Sequence, residues 1–167
     1  MKEKIETQKF IVGRMDSYME SSQNKGNIYL ALNTLVLGGV VTIITAVDLS
    51  NKGNWIYWLL ITISILAVIS ILFTLISINP YLNGSDNKDK SMFFFKDIRN
   101  SKKETYLKSV LEADNSDILH DLILQTRSLA NGVYRKYKWL CYVGWLVGVE
   151  FLLLLIWVIG YLIVNNN

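Results

Sequence analysis

Hydrophobic positions in this chain are gathered into three long blocks, 28–47, 55–78 and 139–164, set between strongly polar segments. At about 1.5 Å per residue, each block forms a helix long enough to cross a hydrocarbon core of about 30 Å. The pattern predicts an all-α integral membrane protein with three transmembrane helices. One charged residue interrupts the blocks, Glu150, near the middle of the last. A carboxylate at mid-bilayer costs about 3 kcal/mol on insertion scales unless it meets water or a partner, so Glu150 is the first candidate for a functional group. The link 48–54 is short and polar, which makes blocks one and two an antiparallel hairpin. Trp55, Tyr57 and Trp58 then fall at the outer interface, where amphipathic rings are favoured.

The polar segments carry their own periodicity. In the head, 1–27, Ile11, Met15, Tyr18 and Met19 recur at helical spacing. No proline interrupts residues 2–47, so head and first span are expected to form one helix with possible flex at Gly26. Asn79-Pro80 closes the second span, because proline disfavours helix at the residue before it. Asn83 to Lys90 reads as a solvated loop. Ser101 and Glu104 match a capping box that opens a helix with Leu107, Val110 and Leu111 on one face. Asp114-Asn115-Ser116 breaks and restarts the chain. From Asp117 to Val164 nothing ends a helix, giving a rod of about 72 Å that is continuous into the last span. Its stripe of Leu119, Leu122, Leu129 and Val133 is expected to pack on the head helix and on Leu107–Val110–Leu111. The organisation is therefore a head, 1–27, a transmembrane hairpin, 28–78, a second helical segment, 79–138, and a third span, 139–164. The two polar segments together form a helical bundle.

Charge fixes the expected orientation. Of 17 Lys and Arg, five lie in the head, one (Lys52) in the short link, eleven in 79–138 and none after the third span. The positive-inside bias puts head and middle segment in the cytoplasm and the C-terminus outside, in a plasma membrane. No cleavable signal sequence precedes the first span, which reads as an uncleaved anchor. A single cysteine, Cys141, excludes an internal disulfide and a multi-cysteine metal site; at the edge of the third span it reads as an apolar contact. Neither polar segment has room for an independent enzyme domain. The lone His120 has no carboxylate–cysteine set around it, and no phosphate-cradling loop or nucleophile elbow appears. No enzyme activity, metal or cofactor is expected.

Three short motifs carry a resemblance. Ser22-Gln23-Asn24-Lys25-Gly26 leads into Leu30-Ala31-Leu32-Asn33. Phe94-Phe95-Lys96-Asp97-Ile98 is followed by Glu104 and Tyr106, and Gln125, Ser128 and Lys136-Tyr137 precede the last span. In this order the motifs resemble the Pycsar membrane effector family over about residues 8 to 163. That is a family of bacterial antiphage proteins found beside nucleotide cyclases or related nucleotidyltransferases. The chain departs from the pattern at Gln23, where the family usually has Asp, so any salt link of that Asp is absent or replaced. Some members carry a separate cyclic-nucleotide-binding domain, for which there is no room here. The resemblance implies an effector that damages membrane integrity on infection, in the bacterial inner membrane.

Several residues are candidates for that work. Glu150 lies at the height of Gly38-Gly39 and of Ala67 to Ser70. Copies around an axis would give a ring of Glu150 beside small residues, a wet constriction selective for cations. The alternative is a neutral Glu150 hydrogen-bonded to Ser70 or Thr42, holding the bundle in register. Asn33 suits a bond to another helix better than an ion contact, and Gly38-Gly39 reads as packing or as a hinge. Lys25, Arg135, Lys136 and Lys138 form a basic collar. It serves anionic headgroups and topology, or, with Tyr134 and Tyr137, an anionic signal such as a nucleotide second messenger or an oligonucleotide. Met92 to Phe95 is expected to insert into the bundle.

Three spans are too few to enclose a conduit, so conduction requires a homo-oligomer, with a tetramer as the expected size. The leading expectation is an oligomeric antiphage effector that depolarises the inner membrane when a nucleotide or a protein partner signals. The rivals are a non-conducting scaffold that recruits a soluble partner, and a membrane-bound enzyme.

Overall fold

The computed structural model describes residues 1–46, 54–79 and 91–166, all helix or short connection. α1 is Lys2–Ala46, α2 Asn54–Ile78, α3 Phe95–Asn100, α4 Lys103–Glu112 and α5 Asn115–Asn166. α1 holds 45 residues and α5 holds 52, so head with first span, and middle segment with third span, are each one uninterrupted helix. Neither contains proline, and the apolar blocks supply long helix-forming runs. α1, α2 and α5 are each long and apolar enough to cross a membrane. Of the expected link, 48–54, only Asn54 is described, as the first residue of α2, and the expected loop, 83–90, lies outside the described residues.

The chain divides into two compact units, Met1–Ser21 with Pro80–Lys136, and Ser22–Asn79 with Tyr137–Asn167. In the first, the head of α1 packs on the early part of α5. Ile5 and Leu122 are buried, and Thr126 Oγ1 donates to Gln8 Oε1 at 3.2 Å. Ser91–Phe94 is tied down by its backbone: Met92 N–H donates to Asp121 Oδ2 at 2.7 Å, and Ser91 N–H to Asp97 Oδ2 at 3.2 Å.

Two local expectations are corrected. Ser101 does not cap α4; its Oγ donates to Asp97 O at 2.7 Å, closing α3, and Lys102 precedes α4 without a side-chain cap. α4 buries none of its residues, so Leu107, Val110 and Leu111 stay exposed instead of meeting the α5 stripe.

The second unit packs the three spans on a heptad repeat. On α2 the buried residues are Ile56, Leu60, Ile63, Ala67, Ser70, Thr74 and Ser77, at alternating spacings of four and three. α1 buries Ser22, Gly26, Asn33, Val36 and Val40, and α5 buries Leu140, Val143, Val147, Glu150, Trp157 and Gly160 in the same register. An average of 3.5 residues keeps one seam facing its neighbours along a whole span, as in left-handed bundles. Close approach depends on glycine. A Cβ on Gly160 would overlap the Trp55 indole, and one on Gly26 would lie 2.8 Å from Ile78 Cγ1 and 3.8 Å from Leu140 Cδ2. Cys141, expected as an apolar contact, is exposed.

Candidate functional site

Along that seam the chemistry changes halfway. Val36, Val40, Ile56, Leu60, Ile63, Ala67 and Trp157 form a continuous apolar core toward the Asn54 end of α2. Toward the Ile78 end the buried positions turn polar: Ser70, Thr74 and Ser77 on α2, Asn33 and Ser22 on α1. Asn33 joins the two helices. Its Nδ2 donates to Ser70 Oγ at 2.9 Å and to Tyr29 O at 2.9 Å, the inter-helix bond that apolar surroundings favour. Thr74 Oγ1 donates to Ser70 O at 2.8 Å, so its hydroxyl is satisfied within α2.

Glu150 stands where the two halves meet. Gly26, Ile78 and Leu140 share one level. From there the helical rise places the Asn33–Ser70 pair about 11 Å along the unit and Glu150 about 15 Å along. A helical side chain leans toward its helix N-terminus, which aims the Glu150 carboxyl back toward that pair. Glu150 is 0% exposed, and neither of its oxygens has a hydrogen-bond partner among the described residues. Asn33 Oδ1 and Trp157 Nε1 are likewise buried without partners. Most buried polar atoms in folded proteins are paired, so four unpaired ones along one seam mark the centre of this unit.

The other candidates are placed differently. Gly38 and Gly39 face outward, with nothing near an added Cβ, and line an open groove on α1 with Ala31, Thr34 and Thr42. Thr42 is exposed and donates to Gly38 O at 2.8 Å, and Ser70 is engaged by Asn33, so neither bonds Glu150. In the collar, Lys25 Nζ lies 5.0 Å from the Tyr137 ring centroid, a cation–π contact. Lys136 is buried, and burial pushes its ammonium below the ordinary lysine range. Tyr134, Arg135 and Lys138 are exposed. Sequence reading singled out Glu150, Asn33 and Ser70, named Ser22 only within a motif, and passed over Thr74, Ser77 and the Trp157 indole. The 70–74–77 spacing was the available signal.

Three helices long and apolar enough to cross a membrane, packed around a carboxyl that is unpaired among the described residues, define a small integral membrane protein. The comparisons agree: residues 7–164 match the family described as the Pycsar effector protein domain. The chain belongs to that family and is thereby a membrane effector of antiphage defence. It is 30% identical over 154 residues to the Pycsar effector protein EcPycTM of Escherichia coli, covering 81% of this chain and 78% of that protein. No solved structure matches the chain.

Proposed function

We propose that this effector permeabilises the bacterial inner membrane on a signal and thereby arrests the infected cell. The carrying observation is Glu150, fully buried and without a hydrogen-bond partner among the described residues, at the junction of the polar and apolar halves. A carboxyl held so costs several kcal/mol relative to a hydrated one. The packing of a single chain is therefore a resting arrangement, and a rearrangement that wets Glu150 recovers that cost. In the open state, spans of several copies separate enough for water to reach it, and a ring of carboxylates selects cations. Gly38 and Gly39, open on the outward face of α1, suit close approach of a second chain in a homo-oligomer such as a tetramer.

The signal, a nucleotide second messenger, an oligonucleotide or a protein partner, acts on the first unit, in the cytoplasm with the N-terminus, while the C-terminus lies outside. α5 carries residues of both units, so a shift at its first half moves Glu150. The chain acts without catalysis or a cofactor. The second reading, a non-conducting scaffold, is favoured by the uncovered apolar face of α4, where Leu107 is 57% and Leu111 75% exposed.

Infected cells carrying wild type, Glu150→Gln or Glu150→Leu separate the two readings through a potential-sensitive dye. Wild type depolarises the cells. Both variants insert at equal level and leave the potential intact, since neither supplies a carboxylate to hydrate. Equal depolarisation by Glu150→Leu makes the carboxyl structural.

A further inference from the structure

Within the three-span unit, the buried polar atoms without partners among the described residues are unevenly matched. Three of the four are oxygens, Asn33 Oδ1 and both carboxyl oxygens of Glu150. The fourth, the donor Trp157 Nε1, lies about 11 Å further along α5 than Glu150, on the side away from Asn33. Asn33 has already spent its Nδ2 donors, on Ser70 Oγ and Tyr29 O. Ser70 Oγ accepts that bond and keeps a second lone pair. From the shared level of Gly26, Ile78 and Leu140, Asn33 and Ser70 lie about 11–12 Å along the unit, and Val36, Ala67 and Glu150 about 15–17 Å. The Glu150 side chain leans back across that one layer, so its oxygens are turned toward those of Asn33 and Ser70.

Oxygens that lack donors select the guest. A buried carboxylate is stable in apolar surroundings only when a counter-charge or a proton neutralises it. Among the described residues of this unit, Glu150 is the one buried charged residue. Ala46, Asn54 and Asn79, where the described chain meets its undescribed segments, lie about 15 Å or more from Glu150 along the axis, more than a lysine side chain spans. A carboxylate, an amide oxygen and a hydroxyl are hard ligands that suit an alkali or alkaline-earth cation. One carboxylate cancels one positive charge, so a divalent ion would leave net charge in the core. A bare sodium ion is smaller than a water molecule, whose radius is about 1.4 Å, and fits between packed helices where a larger guest does not. The buried hydroxyls of Ser77, Thr74 and Ser70 run along α2 from its Ile78 end to this layer, an oxygen-lined way in. Val36, Leu60 and Ile63 close the other side. We infer that Glu150, Asn33 Oδ1 and Ser70 Oγ form a binding site for one sodium-sized monovalent cation within a single chain. Bound there, the ion neutralises Glu150 and holds the spans in their packed arrangement. The site shares its carboxyl with the permeabilisation reading but requires no conduction, so the two fail separately.

The test is thermal unfolding of the full chain in nanodiscs of zwitterionic lipid, with sodium, potassium and choline chloride exchanged at constant ionic strength and no flux measured. Wild type melts higher as sodium replaces choline, in proportion to the logarithm of sodium concentration above the dissociation constant. Potassium needs about tenfold or more concentration for the same shift. Glu150→Gln keeps the side chain's size and loses its charge, and its melting temperature is the same in every salt. Ser70→Ala removes one ligand and needs about tenfold more sodium for the wild-type shift, the value of one lost polar contact. A wild-type melting temperature indifferent to sodium, an equal shift by potassium, or a sodium shift that survives in Glu150→Gln or is undiminished in Ser70→Ala overturns the assignment.

Discussion

Asp114 shows how a single side chain starts the longest helix. Its Oδ1 accepts from Ser116 N–H at 2.7 Å and from Asp117 N–H at 2.9 Å, while Asp117 Oδ2 accepts from Asp114 N–H at 3.1 Å. The exchange satisfies the orphan donors of the first turn of α5. The Asp117 and Ser116 backbone donors hold the Asp114 carboxyl below its usual range. Because the folded value is depressed, the cap contributes above the unfolded carboxylate pKa of about 4 and is lost as pH falls through the lowered folded value. In an NMR titration the Ser116 and Asp117 amide shifts move only below the ordinary carboxylate range. In Asp114→Ala the Ile118 amide exchanges faster at neutral pH. Sequence reading placed the helix break here but the reciprocal cap at Ser101 and Glu104. Pattern alone does not tell that the Asp97 carbonyl claims the Ser101 hydroxyl. Glu150 was legible for the opposite reason: one charge among three apolar blocks has no competitor.

Among the helices, the seam decides which substitutions matter. Gly160 lies under the Trp55 indole, so Gly160→Leu forces the ring out and destabilises the three-span unit by about 1–3 kcal/mol, the usual cost of overpacking. Gly38→Leu meets nothing in its own chain and leaves thermal unfolding in nanodiscs close to wild type. If the outward face of α1 is where copies meet, the same variant shifts cross-linked oligomers toward monomer. Spans and the continuity of α1 and α5 were readable from length, absent proline and apolar runs. The side each residue faces was less so. Gly38 and Glu150 share a height by residue count, yet two residues of helix, about 200°, separate Gly38 from the buried Val36 and Val40 on either side of it. For α4, amphipathic spacing identified a face that wants cover without identifying its cover, and among the described residues Leu107, Val110 and Leu111 remain uncovered.

On the scale of the whole molecule, the seam of the three-span unit is polar in one half and apolar in the other, and under the proposed function it is sealed while the spans pack together and water-accessible once they part. Family membership makes the chain an antiphage membrane effector, and the buried carboxyl supplies a physical reason for such an effector to be poised. Ion flux through liposomes holding the purified full chain tests this most directly, with a potassium gradient, a potential-sensitive dye, and small-molecule extracts from infected and uninfected cells. Infected-cell extract is predicted to collapse the gradient with wild type and to leave it standing with Glu150→Leu. A gradient that persists with folded, inserted wild type under every extract contradicts the account.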